Sequence, residues 1–139
     1  MNFKKFTKDK RSTFPYWFWH LLAYNYTAIK LHAWKFKYIF HDFEKPWLKL
    51  IWKDYDKVRR WHRKHNSHHY TYQYPNKIDW EALVIDWEAS HLTKIDAPLD
   101  ARDLYEYTIT VRLQDKKITQ EMSELMKKNI PPILDKLGL

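Results

Sequence analysis

Glycine is almost absent from this chain, and cysteine is absent: of its 139 residues only Gly138 is a glycine. Phosphate-binding loops and dinucleotide-binding fingerprints need glycines at tight turns and close backbone approaches, so both of these nucleotide-binding classes are excluded. Tight hairpin turns also favour glycine, which argues against a hairpin-rich β fold. Without cysteine the chain can form no disulfide, no thiolate nucleophile and no cysteine-ligated zinc site.

Length and composition predict a single domain. The hydrophobic share of 45% is enough for a core, and the aromatic share of 18% adds bulky side chains to fill it. The most apolar stretch, Phe14 to Leu31, carries His20, Asn25 and Lys30 and is too polar to predict a transmembrane helix. The lysine-rich N-terminus leads into no clean apolar region, so we expect no signal peptide and a cytoplasmic protein.

The charge balance is basic, with a formal net charge of +8 and a pI of about 9.5. An excess of this size favours anionic partners, such as a phosphorylated small molecule or a nucleic acid. A solvated basic surface without a specific partner explains the same excess. Charge therefore supports an anionic ligand without identifying one.

Apolar residues at helical spacing predict an all-α fold, a compact helical bundle. We expect a loosely ordered basic arm at residues 1–13 and one helical domain at residues 14–139. Tyr105 to Leu113 alternates like a strand but has no obvious strand to pair with, so we interpret it as helical. The first predicted helix is Phe14–Phe40, which is central and buried and either whole or broken. The next two are Trp47–Lys64 and Trp80–Leu92, and Asp79 caps the second of these. After a break at Ala97-Pro98 we expect a helix to Leu113, capped by Asp100 or Asp103, and then a helix from Thr119 that Pro131-Pro132 stops or kinks.

Histidine carries the chemical information in this sequence. There are eight histidines, and five lie in two tight groups: His41 beside Asp42, and His62, His65, His68 and His69 within eight residues. Neutral imidazole is the commonest metal ligand, and carboxylates complement it for Zn, Fe or Mn. Each group alone has a simpler interpretation, since His20 fits a core histidine and Arg59–His69 fits a basic nucleic-acid patch with Trp61 and Tyr70 as stacking platforms.

The order of these residues resembles the HD superfamily of helical metalloproteins. His41-Asp42-Phe43-Glu44-Lys45 matches the HDxxK form of HD-GYP phosphodiesterases and mixed-valent di-iron oxygenases. More narrowly, the chain is similar to an uncharacterised bacterial and phage family near that superfamily. The matching elements are His20, then His41-Asp42 with Lys45, then His62 with Asn66 and His68-His69, then Asp86-Trp87.

The resemblance implies one or two divalent transition metals, with Fe or Mn favoured and Zn, Co or Ni as alternatives. It implies that Asp42 bridges two ions where two are bound, and that Lys45 is a catalytic residue together with Asp42. The implied metal ligands are His20, His41, Asp42 and Asp86 at one site, with His62 and either His68 or His69 completing a second site. The implied substrate-binding residues are Lys45, Arg59, Arg63 and Asn66.

Three functions remain open from the sequence. The first is an HD-type phosphohydrolase that acts on a nucleotide or another phosphoester, and the second is a di-iron oxygenase with the same ligands. The third is a basic nucleic-acid-binding or adaptor protein without catalysis.

Glu44 stands where the family usually has serine, and it is either an additional ligand or a solvated side chain. The chain lacks the GYP segment, so specificity for cyclic di-GMP is not implied.

Overall fold

The computed structural model describes residues 2–96 and 100–139, and within these residues it is helical and contains no β-strand. The prediction of an all-α fold is confirmed. The predicted break at Ala97-Pro98 lies outside the described residues. The α-helices are α1 (Phe14–Lys30), α2 (Glu44–Trp52), α3 (Tyr55–His65), α4 (Trp80–Thr93), α5 (Ala101–Tyr107) and α6 (Gln120–Leu137), with shorter 3-10 segments at Lys8–Lys10, Phe36–Phe40 and Pro75–Lys77 and a π segment at Thr108–Arg112.

Polar caps start most of these helices. The side chains of Asp79 and Asp100 accept hydrogen bonds from backbone N–H groups in the first turns of α4 and α5, as predicted, and Thr13 caps α1 in the same way. Thr119 caps α6 in the same way. Neither proline ends this last helix, which continues through Pro131 and Pro132 to Leu137. The carbonyls that lose their helical partners belong to Lys127 and Lys128, two exposed residues whose carbonyls water can reach.

The predicted helix Trp47–Lys64 is two helices, and this prediction was wrong. Lys53 adopts a left-handed backbone conformation with φ 57°, which ends α2. Asp54 then accepts hydrogen bonds from the backbone N–H groups of Asp56 and Lys57 and starts α3. A capping aspartate competes with continuation of the helix, and here it prevails. The break lets α3 pack against α2.

The centre of the fold is α4, not the segment from Phe14. One apolar cluster joins α4 to α5 and α6, and a second joins α4 to α1 and to the 3-10 segment before α2. Helix α1 buries His20, Ala23, Tyr24 and Ala28 on one side. Its other side is exposed, at the residues Phe14, Phe18, Leu22 and Ile29. The prediction of a buried central helix at Phe14–Phe40 was therefore wrong, because apolar composition does not fix which face meets the core.

The basic arm is held against the domain, contrary to the expectation of loose order. Phe6 is buried and meets the ring of Tyr16 edge to face. Its backbone N–H donates to the carbonyl of Thr93 at 2.8 Å, and its carbonyl accepts from the N–H of Ile95. These bonds join the arm to the end of α4. Among the described residues, no helix is both long and apolar enough to cross a membrane.

Candidate metal centre

The seven predicted ligands meet in one buried cluster, which could hold a metal ion. They come from α1, the turn before α2, α3, the loop after α3, and α4. Three groups of these residues each offer one ligand atom per residue, and within a group these atoms all lie within 4.8 Å of one another. The groups are His20, His41 and Asp42; Asp42, His62, His68 and His69; and His41, His68 and Asp86. We call these seven residues the His/Asp cluster.

On the α1–α4 side of the cluster, two imidazoles meet one carboxylate. Nε2 of His20 lies 3.0 Å from Oδ1 of Asp86, and Nε2 of His41 lies 3.1 Å from the same oxygen. The two imidazole nitrogens are 3.1 Å apart. Ligand atoms that each lie about 2.0–2.2 Å from an ion are separated by about 2.8–3.1 Å in octahedral geometry and about 3.3–3.6 Å in tetrahedral geometry. The three atoms therefore have the spacing that ligands of a common ion require.

On the α3 side, the imidazoles surround Asp42. Its Oδ1 lies 2.9 Å from Nε2 of His62 and 3.1 Å from Nε2 of His68. The His62 nitrogen has this close carboxylate but no well-directed hydrogen bond, and Nε2 of the neighbouring His69 is buried without any partner. Buried polar nitrogens without a hydrogen bond are rare and call for an explanation. A cation bound by both imidazoles would engage these two atoms.

The backbone of Asp42 is unusual at this point. Its φ of 56° places it in the left-handed region, where a non-glycine residue is uncommon although aspartate tolerates it better than most. The indole Nε1 of Trp17 donates to its carbonyl at 2.9 Å and holds the turn. Conformations of this kind cost about 1–3 kcal/mol and concentrate at functional sites. The turn directs both His41 and Asp42 into the cluster.

Burial and neighbouring charge set the protonation states of the cluster. Burial works to raise the pKa of Asp42, but the charges of His41, Lys45 and His62 outweigh it and hold that pKa well below its ordinary value. The pKa of Asp86 is also held low, because hydrogen bonds from two imidazoles outweigh its burial. Burial lowers the pKa of His41 to about 4. At neutral pH the cluster therefore offers carboxylates and a neutral imidazole, the forms that bind metal.

Glu44 supports His62 from outside the cluster. Its carboxylate accepts a hydrogen bond from Nδ1 of His62, the nitrogen that faces away from Asp42. Asn66 donates to the same carboxylate at 2.9 Å and to the backbone carbonyl of His62 at 2.8 Å. Glu44 is therefore not the solvated side chain of one of the two expectations, since it contacts a predicted ligand and is only partly exposed. The contacts of Asn66 hold His62 in place, and its role in substrate binding stays a prediction.

A cavity of about 620 Å³ opens beside the cluster. His20 and Asp42 lie in its wall, and so does Lys45, whose Nζ is 3.2 Å from Oδ2 of Asp42. Three further cations line it, and Asp42 is the acidic residue in the lining. These cations are Arg11, Lys49 and Lys53, and the main aromatic lining residues are Phe14, Tyr16, Trp17, Phe43, Trp47 and Tyr55.

Two predicted substrate-binding residues do not reach this cavity. Helix α3 turns Val58 and His62 inward, and it leaves Arg59 and Arg63 exposed and outside the cavity lining. Their assignment as substrate-binding residues stays a prediction. Arg11, in the arm, lines the cavity and is paired with Asp96. No sequence pattern indicated it, because its position depends on the pairing of the arm with α4.

Comparisons with known proteins add no relative. No protein-family model matches the chain, and neither a search of curated proteins nor one of solved structures finds a match. The His/Asp cluster and the cavity beside it are therefore the features that indicate a function.

Proposed function

We propose that this protein is a metal-dependent phosphohydrolase of the HD type, acting on a nucleotide or another phosphoester. The observation that carries the proposal is the position of Asp42. It lies between two groups of imidazoles, and it also contacts Lys45 at the wall of a cationic cavity. The spacing of the donors, and the lack of a hydrogen bond at the buried Nε2 atoms of His62 and His69, support metal binding at this place.

Different residues of the protein would bind the metal and the substrate. The His/Asp cluster would hold one or two divalent ions, with Asp42 shared between the two groups that contain it. A bound ion would supply the charge that polarises a phosphoryl oxygen and makes a nearby water more acidic. Lys45 is positioned to bind the phosphate, because its ammonium lies beside the cluster and the Asp42 charge, outweighing burial, raises its pKa.

The lining of the cavity favours an anionic substrate. Arg11, Lys49 and Lys53 line it together with Lys45. Arg11 is paired with Asp96 and Lys45 with Asp42, and Lys49 donates to the carbonyl of Ser12. A phosphate group attracts several such cations at once, which favours an anionic substrate over an uncharged one. The nucleic-acid alternative is weakened by the direction of the histidines, because His62 and His69 of the basic segment point into the cluster.

Hydrolysis of two chromogenic esters tests the proposal. Purified protein is stripped with chelator and reconstituted with Mn²⁺ or Fe²⁺. It is then assayed with p-nitrophenyl phosphate and bis(p-nitrophenyl) phosphate, a monoester and a diester. We expect metal-dependent release of p-nitrophenol. Lys45→Met should retain its metal content and lose at least about tenfold in kcat/KM, since one charge-stabilising contact at a transition state is worth this much or more.

The control variant is Lys64→Met, which removes an exposed lysine of α3 outside the cavity lining. It should hydrolyse both esters like the wild type. Metal-loaded protein that hydrolyses neither ester and consumes oxygen in the presence of a reductant would contradict the proposal and favour the oxygenase. Equal activity of Lys45→Met and Lys64→Met would contradict phosphate binding by Lys45.

A further inference from the structure

Helix α2 has no buried residue, although its sequence is rich in large apolar side chains. Trp47, Leu50 and Ile51 are 56%, 70% and 72% exposed. Their spacing of three and four residues places them on one side of the helix. A short helix with a fully exposed apolar side is unusual in a globular domain, where that side normally meets the core.

The exposed apolar surface extends beyond α2. The rings of Phe36, Phe40, Phe43 and Trp47 form a chain of contacts with centroid separations of 6.1, 6.0 and 6.3 Å. Phe43, Trp47 and Leu50 also line the cavity, and so does Phe14, which belongs to α1. The surface therefore surrounds the mouth of the cavity. We call it the apolar face and define it as Phe14, Phe36, Phe40, Phe43, Trp47, Leu50 and Ile51.

The charges beside the apolar face are cationic. Lys45, Lys49 and Lys53 recur every four residues along α2 and its C-terminal cap and form a lysine row. Asp42 pairs with Lys45 and the carbonyl of Ser12 accepts from Lys49, so the exposed Lys53 is the lysine of this row that is open to an anionic surface. The acidic residue of α2 is Glu44, whose carboxylate is bound by His62 and Asn66. This combination of exposed tryptophan and aliphatic residues with a row of lysines is typical of helices that lie in the interface of a membrane.

We propose that the apolar face docks onto an anionic phospholipid bilayer, with α2 in the headgroup region and the mouth of the cavity towards the lipid. An anionic surface complements the exposed Lys53 and the basic charge of the chain, and the acyl boundary takes up Leu50 and Ile51. A second copy of the chain fits less well, because a two-fold contact would place the lysine row near itself. Nucleic acid fits less well too, because aliphatic side chains provide no stacking surface for bases. The proposal is independent of the hydrolase activity.

Sedimentation with vesicles tests this docking. The full chain is centrifuged with vesicles of phosphatidylcholine alone and with vesicles of equal phosphatidylcholine and phosphatidylglycerol. We expect the protein to sediment with the mixed vesicles and much less with the neutral ones, and we expect 0.5 M salt to weaken the binding. Leu50→Ser/Ile51→Ser should lower the partition coefficient by about tenfold or more. Lys53→Gln should lower it by roughly fivefold.

The matched controls change equally exposed residues elsewhere. Tyr74 and Ile95 are 52% and 59% exposed, and Tyr74→Ser/Ile95→Ser should bind the mixed vesicles like the wild type. Lys128→Gln, in α6, is the control for charge. Absence of vesicle binding by the wild type, equal binding to both vesicle types, or equal losses in the controls would overturn the proposal. So would a dimer in sedimentation velocity that Leu50→Ser/Ile51→Ser abolishes, if no vesicle binding accompanies it. The salt and lipid dependence of wild-type binding tests membrane docking even if a variant fails to fold.

Discussion

The carboxylate of Glu44 accepts a hydrogen bond from Nδ1 of His62. The opposite nitrogen of that ring lies 2.9 Å from Oδ1 of Asp42. Metal-binding histidines commonly donate their second N–H to a carboxylate, which fixes the tautomer and the orientation of the ring. Glu44 thus supplies the support that a ligating His62 would need.

Replacing Glu44 should weaken metal binding without removing a ligand. In Glu44→Gln the charge that favours Nδ1 protonation of His62 is lost, and we expect the affinity for Mn²⁺ or Zn²⁺ to fall about 10–100-fold. Calorimetric titration of stripped protein measures this. Glu124→Gln, on the exposed side of α6, is the control and should bind as the wild type does. Unchanged affinity in Glu44→Gln would show that His62 does not ligate or is held by other contacts.

Asp42 should matter more for metal content than His62. Asp42 belongs to two of the three candidate groups, whereas His62 belongs to one of them. Asp42→Ala should therefore lose more of the bound metal than His62→Ala. Elemental analysis of proteins purified without a histidine tag provides the measurement. Equal and complete losses in both variants would indicate a single ion that both residues bind.

Bound metal should stabilise the fold. A ligand that binds the native state alone adds about 2.7 kcal/mol when its free concentration is 100 times its Kd. Because the His/Asp cluster draws on α1, α3 and α4, an ion there would link elements that are distant in sequence. We expect the melting temperature to rise with metal concentration in the wild type and not in Asp42→Ala. A wild-type melting curve that is insensitive to both metal and chelator would contradict a metal site in the cluster.

Lys94 should destabilise the folded chain at neutral pH. Burial lowers its pKa from 10.5 to about 8. Between these values the unfolded chain binds more protons than the folded one, so the free energy of unfolding rises with pH across this window. Below pH 8 the full penalty is present, and Lys94→Met should be more stable than the wild type by about 1–3 kcal/mol at pH 7.

The advantage of Lys94→Met should shrink above pH 8 and be nearly lost at pH 10.5, where the lysine is neutral in the folded chain and half neutral in the unfolded one. Urea unfolding at pH 7, 9 and 10.5 measures the difference. Lys128→Met, in α6, serves as the control. An advantage of the same size at every pH would show that the methionine acts by packing and not by removing a buried charge.

Local interactions explain which parts of the fold were predictable. A cap such as Thr13 or Asp79 bonds to an N–H three residues away, so the residues that decide it are adjacent in the chain. The break at Lys53 was missed because two local preferences compete there, and the cap of Asp54 outweighs the helical pattern on both sides. The exposure of Phe14 and Phe18 was missed because periodicity shows that residues are apolar and not whether another element covers them.

The sequence by itself determined the chemistry that is available: helices without glycine, no thiolates, and a set of histidines and aspartates in a recognisable order. Tertiary structure decided which of them meet. The residues of the His/Asp cluster lie between positions 20 and 86 of the chain. Only the packing of α1, α3 and α4 brings their candidate ligand atoms together in groups within 4.8 Å of one another. The same packing placed Arg11 at the cavity and Arg59 outside it, because the direction of a side chain depends on contacts with segments far along the chain. For the same reason Glu44 became a partner of His62, a relationship that spacing alone does not encode.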